Sequence, residues 1–163
     1  MLRAAILTVS DRSSQGKRND ASGPLLEDYL TSRDIHVSCT TICPDEESII
    51  ADILKNWADE GAIDLILTTG GTGVAPRDVT PEATLAVVKR IVPGIAEAMR
   101  FASALKTPHA MLSRAVAGIR GNTLIVNLPG SPKGAVENLE AVIAALPHAI
   151  AKIQGDPSDC ASP

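Results

Sequence analysis

Thr68-Thr69-Gly70-Gly71-Thr72-Gly73 follows apolar Leu65, Ile66 and Leu67, and Arg77-Asp78-Val79-Thr80-Pro81 comes four residues later. Glycines at the end of a buried strand, ahead of a helix, let backbone N–H groups converge on a phosphate. An acid so close to bound phosphate is repulsive unless a cation lies between them. At an effective dielectric near 20, unit charges about 4 Å apart interact by roughly 4 kcal/mol. The pattern therefore points to a nucleotide–magnesium site, with Gly70, Gly71, Thr72 and Gly73 at the phosphates and Asp78 at the metal. A tight turn alone needs fewer glycines than three in four positions. The segment is not a P-loop, because no Gly-Lys-Ser/Thr follows, nor does it carry the Gly-x-Gly-x-x-Gly dinucleotide fingerprint.

Two more corners carry small or charged residues between an apolar run and a helix signal. They are Ser10-Asp11 and Pro129-Gly130-Ser131-Pro132-Lys133. In an open parallel sheet such corners gather at the carboxyl edge of the strands, where ligands bind. Ser131 before Pro132 reads as a helix N-cap, and the helix behind it is a ready anion site to which Lys133 adds charge. Thr80 and Pro81 are accounted for as an N-cap and first-turn pair. Asp45, in Pro44-Asp45-Glu46, serves equally well as a capping residue or a functional acid. Ser113-Arg114 has no local structural reason. His36, His109 and His148 show no ligand spacing and read as surface or packing residues.

The elements that must position these residues alternate. Ala4–Val9 reads as a strand opening onto a polar loop through Lys17, and Ser22-Gly23-Pro24 starts a helix with Leu25, Leu26, Tyr29 and Leu30 on one face. Ile35 to Thr41 alternates with period two, a strand. Pro44–Glu47 starts a helix that Gly61 ends, and residues 64–69 form the central strand. Thr80-Pro81 opens a helix carrying Leu85, Val88 and Val92, and Pro93-Gly94 separates it from a further helical piece with Ile95, Ala96, Met99 and Ala102. Between Lys106 and Gly121 the pattern suggests a short strand at 113–118 and then a loop. Thr123–Leu128 is the best late strand. One last helix then carries Val136, Leu139, Val142, Ile143 and Leu146 inward. Residues 1–155 read as a single α/β domain and 156–163 as a frayed tail.

Composition agrees with that class and excludes others. Hydrophobic residues make up 45% of 163, yet Phe, Tyr and Trp occur once each, so Val, Ile, Leu and Ala must build the core. This suits a buried, mostly parallel sheet and argues against aromatic stacking of single-stranded nucleic acid. A net charge of −4 gives no basic footprint for nucleic acid. No apolar run approaches a membrane span. Cys39, Cys43 and Cys160 form neither a zinc pattern nor a disulfide framework. If Cys39 and Cys43 share a strand, they stand roughly 13 Å apart, beyond disulfide reach. The simplest setting is the reducing cytoplasm.

Val9-Ser10-Asp11, Pro44-Asp45-Glu46, Thr69 to Gly73, Pro76 to Thr84, Leu112-Ser113-Arg114, Gly118-Ile119-Arg120-Gly121 and Asn127 to Ser131 carry a further signal. In these segments, which span the chain up to about Gly155, it resembles the molybdopterin adenylyltransferases of molybdenum cofactor biosynthesis. That family includes the gephyrin G domain and its plant counterpart. The block from Pro76 through Thr84 is highly specific; the glycines alone would not be. The resemblance implies a three-layer α/β/α homotrimer. Its reaction is attack of the terminal phosphate of molybdopterin on the α-phosphorus of magnesium-ATP, giving adenylyl-molybdopterin and pyrophosphate for a downstream molybdenum-insertion enzyme. By position, Asp45 and Asp78 match the family's essential acids at magnesium. Ser10 and Asp11 join Gly70–Gly73 at the nucleotide, and Ser113, Arg114, Gly130, Ser131 and Lys133 meet pterin or phosphates. One departure is Ala21, where many members carry a basic residue before Ser-Gly. Phosphate-on-phosphate attack needs positioning and charge neutralisation rather than a protein nucleophile, in keeping with the absence of a Cys-His or Ser-His-Asp set. Two rivals are a non-catalytic pterin-binding scaffold, which would bind pterin without ATP, and an unrelated small kinase, which would release ADP.

Overall fold

The computed structural model describes residues 1–158. The strands are β1 (Arg3–Val9), β2 (His36–Cys43), β3 (Leu65–Thr69), β4 (Arg90–Ile91), β5 (Ala117–Arg120) and β6 (Thr123–Leu128), in one sheet ordered β2-β1-β3-β6-β5-β4. Neighbours β2, β1, β3 and β6 are parallel, and β5 alone runs the other way, antiparallel to both β6 and β4. The helices are α1 (Asp11–Ser14), α2 (Ser22–Thr31), α3 (Glu47–Asp59), α4 (Thr80–Val87), α5 (Pro93–Ala104), α6 (Pro132–Val142) and α7 (Leu146–Ile153).

Alternation along the strands divides the core in two. Ala4, Ile6, Leu65, Leu67, Leu124 and Val126 face α2, α5, α6 and α7 through Leu26, Met99, Leu139 and Ile150. Ala5, Leu7, Ile66 and Ile125 face α3 and α4 through Ile50, Leu54, Ala83 and Val87. A sheet covered on both faces needs strands apolar on both faces, which is how β1, β3 and β6 are built. The result is the three-layer α/β/α fold with a mostly parallel sheet.

Register brings the corners together. Thr8 pairs with Thr69, and Thr69 with Leu128, so β1, β3 and β6 end nearly level. The chain leaves β1 toward β2 on one side and returns through α3 to β3 on the other. The β1–β3 boundary is therefore a topological switch point, where a crevice opens at the carboxyl edge.

Several local expectations are corrected. The polar loop after β1 contains α1, capped by the Ser10 hydroxyl, which accepts the Ser13 amide at 3.2 Å. The α4 helix stops at Val87, and Val88 turns extended toward β4, so Val92 precedes α5 instead of continuing α4. Gly118 allows this turn: a Cβ there would stand 2.8 Å from a Val88 methyl. The strand expected at 113–118 begins at Ala117, after a 3₁₀ turn at Pro108–Leu112. The last helix is split by a 3₁₀ turn at Ile143–Ala145, because Pro147 has no amide for a continuous helix and instead occupies the first turn of α7. Cys39 and Cys43 do share β2 as free thiols, and burial pushes the Cys43 thiol up to about 12. Cys160 and most of the expected tail at 156–163 lie outside the described residues.

Asn127, fully buried in β6, joins three elements. Its Nδ2 donates to Thr68 Oγ1 at 3.0 Å and to Thr84 Oγ1 at 2.9 Å, and its Oδ1 accepts the Val116 amide at 3.2 Å. Asn127→Ala should leave these buried groups unpaired and cost about 2–4 kcal/mol, read as a lower urea midpoint with an unchanged slope. At the opposite edge of the sheet, Asp64 is held below the ordinary carboxylate range by the Arg3 guanidinium, helped by the Arg3 amide and Gln154. A depressed folded-state pKa stabilises the fold above the unfolded pKa and loses that contribution as pH falls through the folded value. Asp64→Asn should therefore lower the urea midpoint at neutral pH, and the difference from wild type should narrow as the pH falls through and below the ordinary carboxylate range.

Candidate functional site

The glycine corner bends sharply because its first two residues are left-handed, Gly70 at φ +102° and Gly71 at φ +65°. A side chain on Gly70 would run into the Val9 carbonyl, and one on Gly71 into the Thr80 hydroxyl, with Asp45 Oδ1 only 3.2 Å away. Strand β1 and loop 70–73 can approach this closely only through glycine. Thr80 does not cap α4, as the sequence suggested; Val79 occupies that position. Instead the buried Thr80 hydroxyl donates to the Gly70 carbonyl at 2.9 Å, and its amide donates to the Gly71 carbonyl at 3.1 Å. The Thr80 carbonyl in turn accepts from Thr84 Oγ1 at 2.9 Å, which links the bend to Asn127.

Loop 129–131 closes the corner. The Pro129 carbonyl accepts from Thr69 Oγ1 at 2.8 Å and the Gly130 carbonyl from Ser22 Oγ at 2.9 Å. Ser131 caps α6 by accepting the Gly134 amide at 3.1 Å. Asp20 does the same for α2, accepting the amides of Ser22 and Gly23 at 3.0 and 3.1 Å and the Thr8 hydroxyl at 2.7 Å.

Two cavities open on this edge. The larger, about 660 Å³, lies between the glycine loop, α5 and the start of α6, and is lined by Thr72, Gly73, Arg100, Ser113 and Lys133 among others. The smaller, about 360 Å³, is lined by Ser10, Arg18, Asp20, Ser22, Asp45 and Gly70 among others. Gly71, Asp78, Gly130 and Ser131 line both. A ligand in either cavity thus meets the same wall.

The two acids singled out in the sequence stand at that wall differently. Asp78 Oδ2 accepts the Ala75 amide at 2.8 Å. Asp45 Oδ2 accepts the Asp11 amide at 2.7 Å, and the Asp45 amide returns to Asp11 Oδ1 at 3.0 Å. In each acid Oδ1 has no hydrogen-bond partner among the described residues. Burial raises the Asp45 carboxyl above its ordinary value, and the charges of Asp11 and Asp78 push the same way, against the Asp11 amide and Arg77. Asp11 is held low, chiefly by hydrogen bonds from Arg77. No cluster of three or more His, Cys, Asp or Glu side chains able to hold a metal occurs among the described residues. A divalent ion here would take one or two carboxylate oxygens and draw its other ligands from phosphate and water, as magnesium does. Hard, unpaired oxygens on two mutually repelling acids fit that ion.

Two candidate residues line neither cavity. Asp11 spends both oxygens on Arg77 and the Asp45 amide. Arg114 supplies the structural reason missing for Ser113-Arg114. Its amide donates to the Thr72 carbonyl at 2.9 Å, its Nε to the Gly73 carbonyl at 2.6 Å, and its guanidinium binds the Asp78 carbonyl and Glu82. It clasps the loop that carries Asp78. Sequence reasoning missed Arg100 and Lys106 at the larger cavity and Arg18 at the smaller, cations that carry no spacing signal. His109, read as a surface residue, is exposed and also lines the larger cavity.

Comparison with known proteins places this edge in context. Residues 5–148 match the family MoCF_biosynth, described as "probable molybdopterin binding domain". A molybdopterin adenylyltransferase of Escherichia coli (strain K12) is 47% identical over 148 residues, covering 86% of this chain and 73% of that protein. The molybdenum cofactor synthesis protein cinnamon of Drosophila melanogaster is 43% identical over 154 residues; these cover 94% of this chain and only 26% of that longer protein. The crystal structure of the molybdopterin biosynthesis enzyme MoaB from Thermus thermophilus superposes with a TM-score of 0.90 at 52% identity, covering 98% of this chain and all of the other.

Gly71 and Gly16 test the packing account, since both have positive φ but Gly16 has open space where a Cβ would go. Gly16→Ala should cost about 1 kcal/mol for its backbone conformation alone, and Gly71→Ala at least about twice that. Urea unfolding of the two variants reads the difference.

Proposed function

The chain belongs to the MoCF_biosynth family of molybdopterin-binding domains, and from that premise we propose that it transfers AMP from ATP to the terminal phosphate of molybdopterin. The observation that carries this reading is the pair of cavities sharing Gly71, Asp78, Gly130 and Ser131. A reaction between phosphate groups of two substrates needs two pockets and one meeting point. A phosphate oxygen of molybdopterin attacks the α-phosphorus, the bond to the pyrophosphate oxygen breaks, and pyrophosphate leaves. The protein supplies no nucleophile; it holds the groups in line and offsets their charge.

The chain's own residues divide that task. The Gly70 amide is taken by the Leu128 carbonyl and the Gly134 amide by Ser131. The N–H groups on offer to phosphate oxygens are therefore those of Gly71, Thr72 and Gly73 in the bend and of Lys133 in the first turn of α6. Lys133, Arg100 and Lys106 add positive charge along the larger cavity. Ser10 and Ser113 stand at the smaller and larger cavity respectively, within reach of whichever ligand enters. Asp45 and Asp78 would hold magnesium through their unpaired oxygens. The ion, when bound, neutralises the phosphates that those acids would otherwise repel.

Further parts of the reading concern the assembly and its setting. We read the working unit as a homotrimer; exposed Phe101, Leu105 and Met111, at 71, 77 and 71% accessibility along one stretch of α5 and the following turn, provide apolar surface for contact between copies. The free thiols of Cys39 and Cys43 suit a reducing cytoplasm. The adenylated product is an activated phosphoanhydride, fitted to consumption by a metal-inserting enzyme.

Wild-type protein supplied with magnesium, ATP and molybdopterin should release pyrophosphate and no ADP. Asp78→Ala should fold and lose roughly two to three orders of magnitude in kcat. Near-normal turnover of that variant would falsify the role given to Asp78, and pterin binding without any ATP binding by the wild type would replace the enzyme with a scaffold.

A further inference from the structure

Arg77 lies next to Asp78 in sequence but lines neither cavity. Its guanidinium reaches across to two other corners of the sheet edge. Nε donates to Asp11 Oδ2 at 3.0 Å, and Nη2 donates to Asp11 Oδ1 at 3.0 Å and to Glu46 Oε1 at 2.9 Å. Asp11 passes this grip to Asp45 through the reciprocal pair, Asp45 amide to Asp11 Oδ1 at 3.0 Å and Asp11 amide to Asp45 Oδ2 at 2.7 Å. At the other end, Asp78 is fixed to the loop of Arg77: the Ala75 amide donates to Asp78 Oδ2 at 2.8 Å, and the Asp78 amide to the Ala75 carbonyl at 2.9 Å. One unbroken chain of hydrogen bonds and peptide links thus runs from Asp45 to Asp78.

Stability explains this network poorly. The Arg77 side chain is 56% exposed, and Glu46 is 50% exposed. Single ion pairs this open to water contribute little to folding; the bidentate, networked geometry here can add to that, but stability alone does not explain why three separate corners are joined. The network does fix spacing. Three loops that follow three different strands have no covalent reason to keep their acids in register, and a planar guanidinium with several donors in one fork can tie all three at once. It also supplies the positive charge nearest Asp11, whose carboxylate would otherwise stand beside Asp45 as an uncompensated like charge.

We propose that Arg77 is a positioning residue for the transfer reaction: by bridging Asp11 and Glu46 it sets Asp45 relative to Asp78 and keeps the Asp11 carboxylate turned away from the phosphates. The role rests on the adenylyltransferase reading, under which Asp45 and Asp78 are the acting acids. Asp11 then belongs to the support of the site and not to its nucleotide contacts. Lysine cannot replace Arg77, because a single ammonium cannot grip both Asp11 oxygens and Glu46 with the same planarity.

Four proteins decide the matter: wild type, Arg77→Gln, Arg77→Lys, and Arg77→Gln combined with Asp11→Asn. Pyrophosphate release by the wild type tests the adenylyltransferase reading by itself. In Arg77→Gln, kcat should fall about 100-fold while KM for ATP stays within about threefold, the mark of displaced catalytic groups and not of a lost phosphate contact. Arg77→Lys should recover only a small part of that loss. The double variant removes the exposed negative charge while an asparagine oxygen still accepts the Asp45 amide, and should regain about tenfold in kcat over Arg77→Gln. Amide hydrogen exchange followed by NMR supplies a readout without turnover. The Asp45 amide should exchange about tenfold faster in Arg77→Gln than in wild type, with core amides such as Ile66 unchanged. Unchanged exchange at Asp45, or wild-type kinetics in Arg77→Gln, would overturn the proposal while leaving the adenylyltransferase reading intact. So would a rise in KM for ATP with kcat preserved, which would make Arg77 a phosphate ligand. A wild type that releases no pyrophosphate would remove the reading and this role together.

Discussion

The close approach of Gly70 to the Val9 carbonyl is the constraint on which this edge of the molecule depends. It places the end of β3 directly against the end of β1, at the boundary where the chain switches sides of the sheet. The bend could not keep its shape by conformation alone, because a left-handed pair of glycines is free to adopt other forms. The Thr80 hydroxyl fixes it by donating to the Gly70 carbonyl, and Thr80 is joined through Thr84 to Asn127 in the centre of the core. A buried polar chain is costly when incomplete and rigid when complete. Here it is complete, and it transmits the order of the core to a loop at the surface.

Two arginines extend that order outward. Arg114 clasps the far side of the loop by its carbonyls and by Glu82, while Arg77 ties the near side to the corners that follow β1 and β2. A third, Arg120, pairs with Asp59 and donates to the Val87 carbonyl, closing the end of α4. Arginine suits these positions because its donors lie in one plane and serve several acceptors together. The cations that line the larger cavity, Arg100, Lys106 and Lys133, are a separate set. Of these, Arg100 is partly committed to the Ala115 carbonyl, and Lys106 and Lys133 flank Glu137.

Much of the fold was legible because its signals are local. The β-branched run Thr123–Leu128 is a strand at those residues, and Ser22 begins a helix as its neighbours indicate. Errors arose where tertiary contact overrode local preference. Val88 leaves its helix to pack over Gly118, and the periodicity of Val136 to Leu146 continues across a break that Pro147 enforces. The site divides in the same way. Glycines and acids beside strand ends were visible by type and spacing. The use of Asp11 was not, since its partner Arg77 lies 66 residues away, and neither was Arg114, whose partner Glu82 lies 32 residues away in the first turn of α4. No pattern within a window of sequence distinguishes an arginine that grips a neighbouring loop from one that waits for a ligand.

The strands have two ends with different duties. At one, loops of three corners converge on the shared wall. At the other, Asp64 gathers the Arg3 guanidinium, the Arg3 amide and Gln154, binding the start of β1 to β3 and to the close of α7. The core of the sheet separates these two groups. Evolution or design can therefore adjust thermal endurance at the amino end, around Arg3, Asp64 and Gln154, without disturbing the geometry of the chemistry at the carboxyl end. The usual trade between robustness and activity is relaxed here by distance along a strand.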